Sequence, residues 1–337
     1  MKIKIEDLKQ ILFLLKPGLS GNRETTEQSN FFVFKDKFAY TYNDEVSVKV
    51  PFPIDLTGAV SAKEFLALVN KLKGEEADIE LTETEILIKS GRSKAGIRLD
   101  SEIRMPLDEI TYPTRREWKA LPSDFAQAVQ STLFSVSRDA SQPILTVVHG
   151  LGNILESCDS DRATKWELDA ELPFEILLSH YSGKSLLQYK DVKRIFSVTN
   201  WIHFDLGGRG ILSCRTFEGK YPALDHLFDN DGKELEFPNI SKEILERAGI
   251  FSDDIDSGDV LVDISVNEKG IFKVKSEGDT GWYEETIRIK GHDGSAFEFS
   301  INPQYLIQIL SSSHKASLSE NKINFLADKF SHVVALI

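Results

Sequence analysis

Residues 61–88, SAKEFLALVNKLKGEEADIELTETEILI, predict a helix followed by two paired strands, and this order decides the fold. Ser61 and Glu64 have the spacing of a capping box, in which a hydroxyl and a carboxylate bond the first free N–H groups of a helix. The apolar residues that follow at helical spacing are Phe65, Leu68, Val69 and Leu72. Gly74 is predicted to end the helix. Alternating apolar residues then predict strands at 79–81 and 86–88, with one sheet face buried and the other solvated.

The same order recurs twice more along the chain. Second helices are predicted from Pro173 to Gly183 and after Asn302-Pro303, and each leads into a strand pair. These pairs are 196–198 with 202–204 and 316–318 with 323–325. A first helix opens each unit, and its apolar residues are Ile5, Leu8, Leu12 and Leu15; Phe125, Val129, Leu133 and Val136; and Ile244, Leu245 and Ala248. Chance recurrence is the alternative, but a common order at similar spacing favours three repeats.

The repeats define the predicted fold class and domains. Two helices packed on one face of an antiparallel sheet form a compact α+β unit, so the fold class is α+β. Proline and charged residues mark the seams between units, from Tyr112 to Pro122 and from Phe228 to Pro238. We therefore predict three similar domains at residues 1–113, 114–236 and 237–337.

Composition limits the classes of function. The 40 basic and 53 acidic side chains give a net charge of −13, so any surface that binds nucleic acid must be segregated from an acidic exterior. No apolar run is long enough to span a membrane, and the acidic N-terminus is unlike a signal peptide. The two cysteines, Cys158 and Cys214, are too few for a disulfide framework and lack metal-site spacing. We expect reduced thiols in a cytoplasmic protein.

A series of segments shares its pattern with one known family, in the same order along nearly the whole chain. The segments are Ile86–Lys94 (ILIKSGRSK), Leu133–Asp139 (LFSVSRD), Gln142–Leu145 (QPIL), Cys158–Ala163 (CDSDRA), Glu218–Pro222 (EGKYP) and Ile301–Leu306 (INPQYL). The family that they resemble is the bacterial-type DNA polymerase III beta subunit, the DNA sliding clamp. The resemblance implies a head-to-tail homodimeric ring of clamp-type domains around double-stranded DNA, with no cofactor and no metal.

The resemblance also implies a hydrophobic pocket that takes a peptide of the polymerase or the clamp loader. Its lining would be Leu145, Cys158, Ser160, Arg162, Ala163, Pro222, Leu227, Val333 and Ala335. The sequence departs from the family here. Asp161 stands where the family usually has His, Ala163 replaces a larger apolar residue, and the Met-Pro-Met ending is missing. These departures suit a divergent clamp of a phage or mobile element, and a pocket with altered peptide preference.

A sliding ring needs sequence-independent contacts to phosphates, which long basic side chains provide. The candidates are Lys9, Arg23, Lys71, Lys73, Arg138, Tyr181, Lys184, Lys190, Lys193, Arg194, Lys242 and Arg247. For any one of them, an ordinary solvated side chain on an amphipathic helix is the alternative. As a set on helices that line a ring, they favour DNA contact.

Two other classes of function remain as alternatives. A clamp-like binding module that does not close a ring would sequester clamp partners, and an enzyme would show metal- or cofactor-dependent turnover. The sequence contains no nucleophile elbow, zinc signature or paired-carboxylate motif. Gly207–Gly210 is predicted to be a turn between strands. His203 alternates with Ile202 and Phe204 and is predicted to be a solvated strand residue rather than a catalytic base.

Overall fold

A computed structural model describes residues 1–21, 24–230, 232–238, 240, 242–252, 260–289, 294 and 296–336. Within these ranges it contains six α-helices and 24 β-strands. The helices are α1 Ile5–Leu15, α2 Ala62–Lys71, α3 Phe125–Thr132, α4 His180–Leu186, α5 Lys242–Ala248 and α6 Pro303–Ile309. No helix among the described residues is both long and apolar enough to cross a membrane.

The strands take up most of the regular structure. In chain order they are β1 Lys2–Lys4, β2 Phe31–Lys35, β3 Phe38–Tyr42, β4 Val46–Pro51, β5 Gly58–Ser61, β6 Glu76–Leu81, β7 Glu85–Ser90, β8 Ser93–Asp100, β9 Lys119–Ala120, β10 Val147–Leu151, β11 Ile154–Cys158, β12 Arg162–Glu167, β13 Ile176–Ser179, β14 Arg194–Val198, β15 Trp201–Asp205, β16 Ile211–Arg215, β17 Lys233–Glu236, β18 Val262–Val266, β19 Ile271–Gly278, β20 Gly281–Arg288, β21 Phe297–Ile301, β22 Lys315–Leu318, β23 Lys322–Leu326 and β24 Phe330–Ala335. The six helices form three successive pairs along the chain, α1 with α2, α3 with α4, and α5 with α6. Strands lie between the pairs and also between the two helices of each pair. The predicted α+β class is confirmed.

The chain forms two compact units. The first contains residues 1–130, 147–153 and 169–219. Its main sheet has twelve strands in the order β1-β6-β7-β8-β5-β2-β3-β4-β16-β15-β14-β9, and β10 pairs with β13. The second unit contains residues 131–146, 154–168 and 220–337. Its strands run in the orders β11-β12-β24-β23-β22-β17 and β20-β19-β18-β21.

Each unit buries its own apolar cluster. In the first unit one such cluster includes Val33, Tyr40, Tyr42, Met105 and Trp201. In the second unit α5, α6 and the strands of both sheets contribute Leu245, Phe272, Leu306, Ile323 and Phe325. The predicted strand pairs form as expected, since Ile79 pairs with Ile88, Ser197 with Ile202 and Ser317 with Asn324.

The first helix ends at Leu15, directly before a 3-10 turn at Lys16–Gly18. The apolar residues Ile5, Leu8, Leu12 and Leu15 are buried along one face of α1. The hydroxyl of Thr41 donates to the carbonyl oxygen of Leu15 at 2.7 Å, which satisfies one of the free carbonyls at the helix end. Only glycine fits at position 18, because a Cβ atom there would collide with the side chain of Thr41.

The prediction of one helix from Pro173 to Gly183 is wrong. Ile176–Ser179 is strand β13, and the helix α4 begins only at His180. All four residues of β13 are buried, and a fully buried strand has a continuous apolar run that sequence cannot distinguish from a buried helix. The Ser179 hydroxyl accepts a hydrogen bond from the backbone N–H of Ser182 at 3.0 Å, which fixes the start of the helix.

Two helix ends also differ from the prediction. The helix α3 stops at Thr132, Leu133 lies in a 3-10 turn, and Val136 is extended. The chain turns here because the N–H of Ser137 donates to the carbonyl of Leu145 at 2.9 Å. At α2 the Ser61 hydroxyl donates to the Glu64 carboxylate instead of accepting from the helix backbone, so the predicted capping box does not form.

The prediction that His203 is solvated is wrong. All five residues of β15 are buried, because both faces of this central strand are covered. The Nδ1 atom of His203 lies 2.8 Å from the hydroxyl of Ser213, and the rings of Tyr112 and Phe196 each lie 5.8 Å from the imidazole. Burial lowers the pKa of His203 to about 4. Gly207–Gly210 joins β15 to β16, as predicted.

We expect the buried His203 to make the unfolding free energy depend on pH. Its pKa is about 6.5 in the unfolded chain and about 4 in the folded chain, so the unfolded chain binds the proton first as the pH falls. This contribution to stability is complete above about pH 6.5 and is lost between about pH 6.5 and 4, at up to about 1.4 kcal/mol per pH unit. Urea unfolding across this range measures the slope. We expect a shallower slope for His203→Gln and an unchanged slope for His226→Gln, whose histidine is exposed. Equal slopes for His203→Gln and the unmodified chain would contradict the assignment.

Candidate functional site

A small depression in the second unit lies where β12 pairs with β24. Ala163 lies opposite Val333 in this register, and the depression has a volume of about 220 Å³. Its apolar lining is Ala163, Leu227, Val333 and Ala335, and its polar rim is Asp159, Ser160, Asp161, Arg162, Asn321 and Lys322. A short apolar side chain inside a polar rim is the kind of ligand that such a shape accepts.

Arg162 fixes one wall of this depression. Its Nε atom donates to the Asp159 carboxylate at 3.0 Å, and its Nη1 atom donates to the side-chain oxygen of Gln308 at 2.9 Å. The guanidinium also donates to the carbonyl of Phe134 and lies 3.9 Å from the ring centre of Tyr305. These four contacts use the planar fork of arginine, which lysine does not provide.

Asp161 is tied to the same wall. Its carboxylate accepts a hydrogen bond from the Tyr305 hydroxyl at 3.1 Å, and its backbone carbonyl accepts from the N–H of Ala335 at 2.8 Å. Burial is the main cause that raises the pKa of Tyr305 to about 12, so the phenol stays protonated and donates. The residue that departs from the family pattern therefore has a defined structural partner.

A second, wider depression lies in the same unit. It has a volume of about 550 Å³ and contains Leu145 and Pro222 beside Ile144, Tyr221 and Ala223. The Tyr221 hydroxyl accepts from the backbone N–H of Cys158 at 3.0 Å and lies 3.6 Å from its sulfur. Cys158 is buried next to Tyr221, and burial raises the pKa of its thiol. Cys158 and Cys214 are both free thiols.

The nine residues predicted to line one pocket are distributed over two depressions. The first contains Ser160, Arg162, Ala163, Leu227, Val333 and Ala335, the second contains Leu145 and Pro222, and Cys158 lines neither. Sequence reasoning missed Asn321 and Lys322 on the rim. Their position at the start of β23, the strand paired with β24, is the signal that places them there.

The basic candidates differ in whether their charge is already paired. Lys9 pairs with Glu6, Arg194 with Asp205, Lys242 with Glu246 and Arg247 with Glu285. Exposed candidates without an ion pair to any described residue are Lys71, Lys73, Arg138, Lys184, Lys190 and Lys193. The Tyr181 hydroxyl is bonded to Asn43 and to the Pro17 carbonyl, both at 2.9 Å. Arg23 lies outside the described residues.

Two further cations accompany these candidates in the first unit. Lys16 and Arg209 line a cleft together with Lys9 and Lys190. Sequence reasoning missed Lys16 because it follows the last helical residue, and missed Arg209 because it lies in a glycine-rich turn. Across the described ranges no group of three or more His, Cys, Asp or Glu side chains is placed to hold a metal ion.

Comparison with known proteins relates the chain to one group. No family model matches it. It is 27% identical over 305 residues to a protein named Beta sliding clamp from Lactococcus lactis subsp. lactis (strain IL1403). This alignment covers 80% of this chain and 77% of the relative. A protein of the same name from Streptococcus pneumoniae (strain ATCC BAA-255 / R6) is 28% identical over 338 residues, with 92% and 85% covered.

Solved structures give the same result for the fold. The DNA polymerase III beta chain of Streptococcus pneumoniae TIGR4 superposes with a TM-score of 0.84 at 20% identity, over 100% of this chain and 98% of that one. The DNA polymerase sliding clamp of Bacillus subtilis gives a TM-score of 0.80 at 17% identity, over 100% and 98%. The resemblance read from the sequence and the clamp fold that it implied are both confirmed.

Proposed function

We propose that this chain is a DNA sliding clamp, a processivity factor that encircles duplex DNA and tethers a replicative polymerase to it. The main support for the proposal is that the chain matches known clamps over most or all of its length. The chain is covered completely by the fold of solved clamps, and most of its length aligns with curated proteins named Beta sliding clamp. A match over the whole chain, rather than over one module, supports the activity of the whole relative.

The work of such a protein is mechanical. A ring holds DNA by topology, so it retains a polymerase near its template without tight binding that would stop it from sliding. We therefore propose that the chain is not an enzyme and that it acts in the cytoplasm, where bacterial-type replication takes place. Three clamp domains at residues 1–113, 114–236 and 237–337 remain our proposal for its organisation, supported by the three helix pairs along the chain.

Two edge strands are suited to close a ring between copies. Over most of its length β8 pairs only with β7, and β20 pairs only with β19 among the described residues. Unpaired edges invite pairing with another chain. Exposed side chains on β8 include Lys94 and Arg98, whereas β20 exposes Glu284 and a tryptophan, Trp282, that is 66% accessible. We propose that β8 of one copy meets β20 of the next.

DNA contact is assigned to the basic side chains that have no ion pair in the described structure. Lys71 is the last residue of α2, Lys73 lies two residues beyond it, and Lys184 lies on α4, all in the first unit. Their charge is not neutralised by a neighbouring carboxylate. They are therefore better suited to phosphate contact than Lys9, Arg194, Lys242 or Arg247, which already pair with carboxylates.

The two depressions of the second unit are assigned to a partner peptide of the polymerase or clamp loader. Their volumes of about 220 and 550 Å³ suit two apolar anchors of one short segment. The rim of the smaller depression carries two carboxylates, Asp159 and Asp161, and two cations, Arg162 and Lys322, so its apolar lining rather than its net charge selects the peptide.

The mass in solution tests ring closure. We expect light scattering behind a sizing column to give about 76 kDa, twice the 38.0 kDa of one chain, and this mass to persist on dilution. The dimer should also stay on nicked circular duplex DNA and leave once the DNA is cut. A mass near 38.0 kDa throughout, with no retention on the circle, would favour the binding module that sequesters clamp partners.

Substitution of the edge-strand tryptophan sharpens this test. Buried aromatic residues contribute much of the free energy of protein interfaces, so Trp282→Ser should raise the dimer dissociation constant by about tenfold or more. Ile250→Ser is the matched control, since Ile250 is also 66% accessible but does not lie on an edge strand. Equal dissociation constants for the two variants would remove β20 from the proposed closure.

Reversal of the unpaired charges tests the DNA contacts. We expect the triple variant Lys71→Glu, Lys73→Glu and Lys184→Glu to dissociate from circular DNA faster than the unmodified chain. The slope of log binding constant against log salt concentration should become shallower by about 0.9 for each phosphate contact that is lost. Lys37, Lys119 and Lys269, each changed to Glu, give a control with the same net charge. If both triple variants dissociate at the same rate, overall charge rather than these side chains governs retention.

A charged side chain in the smaller depression tests the partner pocket. Leu227→Asp places a carboxylate among its apolar lining and should weaken, by about tenfold or more, the binding of labelled peptides in which two leucines flank a variable serine spacer. Fluorescence anisotropy measures the affinity. Leu151→Asp is the control, because Leu151 is exposed on β10 in the first unit. Unchanged peptide affinity in Leu227→Asp would place the peptide elsewhere.

A further inference from the structure

A cleft of about 630 Å³ opens on the first unit beside α1 and α2. Four basic residues line it, Lys9, Lys16, Lys190 and Arg209, and its lining contains no carboxylate. In a chain with a net charge of −13, four cations without an acid among the lining residues are a local reversal of charge. Such a surface attracts an anionic ligand.

Arg209 is held in place without being neutralised. Its Nε atom donates to the carbonyl of Leu206 at 3.2 Å, and its Nη2 atom donates to the carbonyl of Lys190 at 3.1 Å. Carbonyl oxygens orient the guanidinium but do not cancel its charge. Within the described part of the chain, no ion pair is formed by Lys16, Lys190 or Arg209. Lys9 alone has an acidic partner, Glu6, at 3.1 Å.

The cleft also exposes an aromatic face. Phe13 is 52% accessible although it lies on α1 between two buried leucines. It shares the cleft with Leu66 and with Tyr189, whose hydroxyl donates to the carbonyl of Leu14 at 2.6 Å and so fixes its ring. An exposed ring in a cleft lined by cations is suited to bind nucleotides by base stacking and by phosphate contact.

We propose that this cleft binds a single-stranded segment of DNA, with one base stacked on Phe13 and the neighbouring phosphates on Lys16, Lys190 and Arg209. A duplex keeps its bases stacked inside the helix and offers only phosphates, so it leaves Phe13 unused. A peptide of acidic residues alone supplies the charge but no flat apolar face. The proposal rests on DNA being the partner in the proposed function, and it adds a contact to an unpaired base that a ring sliding on duplex does not need.

Fluorescence anisotropy with labelled oligothymidine tests this assignment on the full chain. The matched probe is an abasic oligomer of equal length, which keeps the phosphates and lacks the bases. We expect Phe13→Leu to weaken oligothymidine binding by about tenfold, because loss of one stacking contact typically has this effect, and to leave the abasic oligomer unaffected. Phe13→Trp, which retains an aromatic face, should bind oligothymidine as well as the unmodified chain.

The cations are tested separately. Arg209→Gln should reduce the log–log salt dependence of oligothymidine binding by about 0.7, the value for one phosphate of a single strand. Lys37→Gln, which removes an exposed cation outside the cleft, should leave it unchanged. Since Phe13 and Arg209 are exposed, circular dichroism is expected to give unchanged folding for their variants.

Three results would overturn the proposal: equal affinity for oligothymidine and the abasic oligomer, no effect of Phe13→Leu, or displacement of oligothymidine by polyglutamate at equal charge concentration. The last would identify an acidic-peptide site instead.

Failure of the single-strand proposal is distinguishable from failure of the clamp function. Phe13→Leu should still form the 76 kDa dimer and stay on circular duplex, whereas a chain that forms no ring would still show the Phe13-dependent preference for bases.

Discussion

The antiparallel pairing of β12 with β24 is the interaction on which the candidate peptide site depends. It joins residues 162–166 to residues 330–334, which lie far apart in the sequence. On one face Ala163 and Val333 form the floor of the smaller depression. On the other face the Thr164 hydroxyl lies 2.8 Å from Nδ1 of the buried His332 and 2.5 Å from the hydroxyl of Ser135. Burial holds the pKa of His332 well below its usual value, so a neutral imidazole supports the strand pair from behind.

Much of the fold followed from local patterns because each pattern had a single physical solution. Ile5–Leu15 has one apolar face and a proline-glycine stop, and Asn302-Pro303 combines a capping side chain with a proline that suits the first helical turn. The residues 176–178 lacked such a constraint. Their apolar run fits a buried strand and a buried helix equally well, and only the pairing of β13 with β10 decides between them.

His203 was misassigned for a related reason. Alternation identifies the two faces of a strand, but it does not say whether the second face is covered by other parts of the chain. Tyr112 packs against His203 on that face, Phe196 flanks it from the neighbouring strand β14, and neither is adjacent to His203 in sequence. The candidate pocket shows the same limit. Its residue types were read from short segments, whereas its division into two depressions depends on how the fold brings these segments together.

Charge is distributed in a way that the net value conceals. Every residue that lines the cleft beside α1 is either basic or uncharged. The acidic residues that give the chain its net negative charge lie outside this lining. At the other site, Asp159 and Asp161 are not free acids, because Arg162 and Tyr305 engage them. Ion pairing therefore separates basic side chains whose charge has an acidic partner from those whose charge does not, a distinction that no count of lysines and arginines provides.

The role of Arg162 bears on how this pocket would respond to an inhibitor. The side chain lines the smaller depression, and its guanidinium also bonds Asp159, Gln308 and the Phe134 carbonyl and stacks on Tyr305. Removal of one partner from a partly buried, hydrogen-bonded network is costly to stability. A compound that anchors on this guanidinium would thus face few viable escape mutations, since a substitution that abolished drug binding would also loosen the wall of the site.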